Sequence, residues 1–351
     1  MQKKRRALIF IANGLGMAID HIQYDIKIGI RYGIEKLEEK EKKCIEEFLS
    51  CPATTKLETL LENEQSNDLA YLNMISMVTG MIKKTSGDKK NALISDSLIL
   101  LSDSINKFIF YVAKSFNKSE DGQCDKYNLF ADFANNLAKY IYNNGAHVVT
   151  TNYDDLLYRY FLKTDIKLDN GNKIKIMQGR RDRTYLADGF GQELNRDKLN
   201  KMKLNIYDSY PNVGWYLHLH GSSRFYSKYG SGIVNKKDFG DYDEAYVPHV
   251  ILNHFDLKKF QINVNPLLNR YFCIFKEVLK TTDVLYILGY SGSDSHINDA
   301  IKEDMNKKGK IIIINREADK ERMNKKFWED KLKLLNFELI YPQSILDFND
   351  W

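Results

Sequence analysis

A chain of 351 residues, 43% apolar and 28% charged, can bury one large domain with insertions or two domains, and its composition excludes disorder from end to end. The formal net charge of +5 is small for that length and gives no ground for a nucleic-acid protein. Cys44, Cys51, Cys124 and Cys273 form no C-x-x-C pair, which argues against structural zinc and for reduced thiols in a cytosolic protein.

The chain opens on Lys3-Lys4-Arg5-Arg6 and an apolar run from Ala7 to Ile11, which imitates a secretory leader. Asn13, Gly14 and Gly16 interrupt that run and Asp20 closes it without a cleavage-type site, so no secretion is expected. No other apolar run approaches the roughly 18–20 residues needed to span a bilayer, so the expected location is the cytoplasm. Leu8 to Ile11 reads instead as a buried strand. Asn13-Gly14-Leu15-Gly16 follows as a turn, and a helix continues from Met17, an order typical of dinucleotide-binding units.

From about Ile34 to Asn144 there is no strand signal. Ile94, Leu98, Leu101, Ile105, Phe108 and Val112 share one helical face, and Phe130, Phe133, Leu137 and Ile141 repeat the pattern before Gly145, a natural helix stop. Lys84 to Lys90 and Lys118 to Gln123 are polar breaks between these helices. This divides the chain into an α/β domain, residues 1–33 and 146–351, and a helical insertion, residues 34–145. Strand signals resume at His147 to Thr150, Trp215 to Leu219, Val284 to Leu288 and Lys310 to Ile314. These are the continuous apolar runs of parallel strands buried on both faces. Helices are expected over Asn265 to Lys280 and Asp294 to Asn306, and a mobile loop over Arg224 to Asp243.

Each strand ends in polar or glycine residues, and in an open parallel sheet ligands bind outside those ends. The ends read Asn13-Gly14-Leu15-Gly16, Thr151-Asn152-Tyr153-Asp154, His220-Gly221-Ser222, Gly289-Tyr290-Ser291-Gly292-Ser293-Asp294 and Asn315-Arg316-Glu317. Singly each has a plain alternative. The glycines are turn residues, Asp154 and Asp294 cap the helices that follow, and His218 is a satisfied core histidine two residues from His220 at the rim. Their combination in one order exceeds what a structural role demands. Basic residues at Lys3 to Arg6, Arg180 to Arg183 and Lys236-Lys237 read as solvated surface, and no direct nucleic-acid binding is expected.

Val149 to Asp154 resembles the sirtuin T-Q-N-x-D segment with Thr151 in place of Gln, and Leu219-His220-Gly221-Ser222 resembles its H-G segment. Gly289-Tyr290-Ser291 is similar to the G-T-S turn, Asn315-x-Glu317 to the Asn turn, and Ala12 to Gly16 to the first glycine turn, of which Gly14 keeps the family residue. The form of Gly289 to Asn298 is most similar to the Sir2-like domains of bacterial anti-phage defence systems. Two departures stand out: the cysteine pairs of the zinc lobe are missing, and Arg31 lies near the place of the G-I-P-x-F-R loop without its context.

The resemblance implies a Rossmann-like parallel sheet of sirtuin type with a large helical insertion and no zinc lobe. It implies NAD as substrate, cleaved at its nicotinamide bond, with no metal. Asn152 would position water and ribose hydroxyls and His220 would act as base. Asn13, Gly14, Gly16, Thr151, Asp154, Gly289, Ser291, Asp294 and Asn315 would hold the dinucleotide, with the pyrophosphate at Gly14 and Gly16. A zinc-free NAD-dependent deacylase and a non-catalytic NAD or ADP-ribose sensor are the alternatives. Control is expected through a homo-oligomer built on the surplus apolar faces of the insertion. By the same resemblance it could come from a separate partner such as a HerA-type ATPase or a prokaryotic Argonaute.

Overall fold

The computed structural model describes residues 7–351 except 22–23, 52–54, 63–67, 69–70, 73–74, 76–95, 117–125, 178–184, 190–192, 195, 203–212, 229–232, 237–241, 243–245, 253–254 and 334–335. The basic runs at Lys3 to Arg6 and Arg180 to Arg183, the breaks at Lys84 to Lys90 and Lys118 to Gln123, and Cys124 lie outside the described residues.

The expected parallel sheet is present. Its strands are β1 (Ala7–Ile11), β2 (Ala146–Thr150), β5 (Leu186–Ala187), β7 (Gly214–His218), β11 (Val284–Leu288), β12 (Lys310–Ile314) and β13 (Phe337–Ile340), in the spatial order β13-β12-β11-β1-β2-β7-β5. Every pairing in it is parallel. Because side chains alternate across a strand, Leu8 and Phe10 enter one core and Ile9 and Ile11 the other. The first core includes helices α10 (Pro266–Thr281), α11 (Ser295–Asp304) and α12 (Lys325–Leu332), with Trp215 and Trp328 among its largest buried side chains.

The opposite face is covered by the helical region. Helices α2 (Ile26–Glu35), α3 (Glu39–Phe48), α4 (Leu57–Leu61), α5 (Asp96–Ser115) and α6 (Tyr127–Asn144) send Ile30, Ile45, Leu57, Phe108 and Leu137 into one core with Ile9, Val148 and Tyr286 of the sheet. Gly29 and Gly33 let α2 lie close on α5: an added Cβ on Gly33 would sit 2.7 Å from Val112 Cγ2. Among the described residues of this region only Phe48, Tyr71 and Leu129 expose a large apolar side chain. Among the described residues, the apolar faces of these helices are therefore largely buried within the chain.

One expectation is overturned. Arg224 to Asp243 contains strands, not one mobile loop: β8 (Gly221–Lys228) and β9 (Val234–Lys236) join β6 (Glu193–Leu194) and β10 (Tyr246–Val250) in an antiparallel sheet of order β10-β8-β9-β6. The glycine- and lysine-rich composition hides this, because the stabilising residues are aromatic. Phe225 and Tyr226 are buried, and Phe110 of α5 packs on Tyr226 and Tyr242 at 6.1 and 5.6 Å between ring centres. Lys236 is not solvated surface either. It is half-buried in an ion pair with Asp188 at 2.6 Å, next to the Tyr158 hydroxyl. Among the described residues no helix is long and apolar enough to cross a membrane.

Candidate active site

The C-terminal ends of β1, β2, β7, β11 and β12 surround a cavity of about 420 Å³, in the range that holds a small-molecule ligand. Its floor is made where two turns interlock. Gly14 donates its N–H to Gly289 O at 3.0 Å, and a Cβ on Gly14 would lie 2.5 Å from Gly289 Cα. Gly289 itself has φ +60°, a conformation glycine adopts without strain. Any side chain at either position would push the β1 and β11 ends apart.

The cavity gathers nearly all the residues singled out from sequence: Asn13, Gly14, Thr151, Asn152, Asp154, His220, Gly289, Ser291, Asp294 and Asn315 line it. Gly16 does not. It is buried inside the short helix α1 (Gly14–Ile19), with an added Cβ 2.9 Å from the Tyr24 ring. The Gly14 amide donates to Gly289 O, so Gly14 opens space at the floor while Gly16 packs on Tyr24 outside the cavity lining. Asn13 is exposed at the mouth, and its amide donates to Tyr24 O at a long 3.5 Å. Arg31 turns elsewhere, in a two-point pair with Glu62 at 2.6 and 3.0 Å.

At the end of β2 the Thr150 hydroxyl accepts the Asn152 N–H at 3.0 Å, which fixes the backbone as it leaves the strand. Asn152 is buried, and its Oδ1 has no hydrogen-bond partner among the described residues. An orphaned acceptor of this kind costs stability unless a ligand or water fills it. Asp154 accepts Leu156 N–H at 3.1 Å at the start of α7 (Leu156–Lys163), so the plain capping role applies even though the carboxyl also faces the cavity. Burial pushes Asp154 up to about 7, against the Leu156 hydrogen bond and with help from neighbouring Asp155.

His218 lies inside β7, buried among the Tyr158, Tyr216 and Phe225 rings, and burial lowers its pKa to about 3. It is a core histidine as expected, but not a satisfied one, since neither ring nitrogen has a partner. His220, two residues on, reaches the rim. Its Nε2 stands 3.2 Å from His296 Nε2, so one ring donates and the other accepts. Burial, helped by the nearby Lys258 ammonium, holds His220 well below its ordinary pKa, and His296 falls to about 4 for the same first reason. Both imidazoles are neutral at physiological pH.

Asp294 does not cap α11 with its side chain. Its Oδ1 accepts Lys258 Nζ of α9 (Phe255–Val264) at 2.5 Å, both groups being almost wholly buried. Burial would raise the carboxyl, but Lys258 and the two imidazoles overcome that and hold it at about 2. The Tyr290 hydroxyl closes the Gly289–Asp294 turn by donating 3.0 Å to Asp294 O while accepting Asp294 N–H. One ligand atom each from His220, Asp294 and His296 lies within 4.8 Å of the others, a buried set that could hold a metal ion. The expectation of no metal took no account of it.

At the other end, Asn315 is buried just after β12, its Nδ2 lacking a partner among the described residues, beside Arg316, Asp319 and Arg322. Lys258 and Arg322 were not singled out from sequence, and Tyr290, His296 and Arg316 fall inside segments singled out there without a role of their own. His296 had a signal, two residues beyond Asp294 in the quoted motif. Lys258 had none.

A parallel α/β sheet with a cavity outside the C-terminal ends of its strands is the Rossmann-type arrangement, in which ligands bind at that edge. Within it, a family model described as a SIR2-like domain matches residues 146–334, and the chain belongs to that family. Membership ties the chain to NAD-related activity and implies an NAD-consuming enzyme. No curated protein matches the chain in sequence.

Proposed function

We propose that the chain is an NAD glycohydrolase that releases nicotinamide and ADP-ribose. One observation carries the reading: the unpartnered Asn152 Oδ1 and the neutral His220 face the same cavity from adjacent strands. The bond from ribose C1′ to nicotinamide breaks with its electron pair leaving on the ring, which departs neutral and needs no general acid. Asn152 Oδ1 accepts a hydrogen bond from the attacking water or a ribose hydroxyl and fixes its position. Water oxygen bonds to C1′ through an oxocarbenium-like state, and its proton passes to His220. His296 sets the tautomer of His220 through the bond between the two Nε2 atoms. The reading uses no metal, because the Lys258 ammonium already supplies the counter-charge on Asp294.

In this reading Thr151 and Asp154 flank the nicotinamide ribose, and Gly289, Ser291 and Asn315 hold the adenosine half. Residues 1–33 and 146–351 form the NAD-binding domain, with 34–145 inserted. We further propose a role in anti-phage defence by NAD depletion, restrained by self-assembly or by a partner such as a HerA-type ATPase or a prokaryotic Argonaute. The self-assembly proposal rests on the need for restraint alone, since the insertion's described apolar faces are buried in the chain's own core. The test is incubation of pure protein with NAD and identification of products by mass. Nicotinamide release without any acyl peptide supports hydrolysis; release only with an acylated peptide would replace it by deacylation.

A further inference from the structure

The strand order fixes a direction across the cavity. His220 and Asn152 follow β7 and β2, on one side of the β1 floor at Gly14, and Asn315 follows β12, two strands away on the other side. At about 4.8 Å per strand, the β12 end is roughly 10 Å from the floor. A dinucleotide whose nicotinamide ribose lies against Asn152 and His220 therefore brings its adenosine ribose to β12.

That end is built around cations. Arg316 Nε lies 3.0 Å from Asp319 Oδ2, and Arg322 Nη2 lies 2.8 Å from Asp319 Oδ1. One carboxylate thus aligns two guanidiniums at the cavity wall and leaves one positive charge uncompensated among them. The Arg316 side chain is 45% exposed and that of Arg322 70%, so both forks retain donors that can turn toward a ligand. Beside them the buried Asn315 Nδ2 is an N–H donor with no partner among the described residues, which points to a ligand acceptor in the cavity. In dinucleotide folds an acidic side chain near the adenosine ribose accepts its 2′-hydroxyl, whereas an arginine accommodates a 2′-phosphate. Glu317, the first carboxylate after β12, is exposed and does not line the cavity.

We propose that Arg316 and Arg322 form a 2′-phosphate subsite and that the chain binds NADP more tightly than NAD. The proposal rests on the dinucleotide reading of the cavity and adds the substrate class. Asn315 donates to the ribose, the two guanidiniums donate to the phosphate, and Asp319 keeps them in register.

Calorimetric titration with adenosine 2′,5′-bisphosphate and with 5′-AMP tests this, since neither has a nicotinamide bond to be consumed. The bisphosphate should bind about tenfold more tightly to the wild-type chain. The Arg316→Ala/Arg322→Ala variant, whose removed side chains are exposed and whose fold a thermal melt would verify, should bind the two ligands alike, with 5′-AMP affinity unchanged. Equal or weaker binding of the bisphosphate to wild type would overturn the subsite and leave the dinucleotide reading standing. Equal loss of both ligands in the double variant would instead assign the arginines to the 5′-phosphate and also overturn it. Binding of neither ligand to wild type would remove the dinucleotide reading itself.

Discussion

At the β7–β2 end of the cavity the ionisable groups are buried and answer one another: Lys258 against Asp294, His220 against His296. At the β12 end two guanidiniums stand largely in solvent around one carboxylate. The first arrangement suits chemistry, because groups desolvated in advance hold fixed protonation states and need little reorganisation. The second suits recognition of an anion that arrives with its own hydration shell. The same cavity therefore has one end whose charges are structural and one whose charges are available.

Acid should separate the two ends most strongly, because none of the described histidines lies at the β12 end. Folded-state pKa values near 3 for His218 and near 4 for His249 and His296, with His220 also depressed, lie below the unfolded value near 6.5. Their contribution is complete above pH 6.5 and is lost as pH falls toward 4, because the unfolded chain takes up protons that the folded one refuses. Asp154, raised to about 7, acts with opposite sign: it costs stability as pH rises from about 4 to 7, but it is one group against four. Thermal melts from pH 7.5 to 5 should show a falling Tm. A flat or rising profile would mean that these imidazoles are not held neutral by the fold.

Removing a cation from each end should give unequal costs. Lys258→Met leaves Asp294 buried and uncompensated and should destabilise by about 3 kcal/mol, whereas Arg316→Ala at an exposed pair should cost less than about 1 kcal/mol. Urea titrations of both variants measure the difference, and equal costs would erase the contrast drawn between the two ends. In turnover, Asn152→Ala or His220→Ala should reduce NAD cleavage at least about a hundredfold with the fold retained; near-wild-type rates in both would dismiss the assignment. His296→Ala should have a smaller effect, about tenfold on kcat with little change in KM, since it acts through His220. An increase in KM alone would make it a binding residue instead.

The legible part of this molecule is what a continuous apolar run can encode. Strands β1, β2, β7, β11 and β12 are such runs, and their polar ends mark the cavity without knowledge of any contact. Leu186–Ala187 is too short to carry a pattern, and Phe337–Ile340 interrupts its own with Glu338. In the small antiparallel sheet, aromatic packing on Phe110 decides the outcome, and Phe110 lies far away in the chain. The site divides in the same way. Asn152 and His220 sit at strand ends and are readable, while the Lys258–Asp294 pair depends on how α9 meets the β11 turn, which no local spacing records. Gly14 and Gly16 look alike in sequence, yet one faces Gly289 and the other faces Tyr24.

The backbone contact between Gly14 and Gly289 also sets when this cavity can exist. β1 is made first during synthesis, but it lies between β2 and β11, and the floor closes only when the turn after β11 reaches Gly14. Until residues 284–289 have left the ribosome, the early part of the chain holds half a floor and no β12 end. Contacts so distant in sequence form late and slowly. A nascent chain therefore lacks a complete cavity through most of its translation, and a chain cut short before β11 never closes the floor.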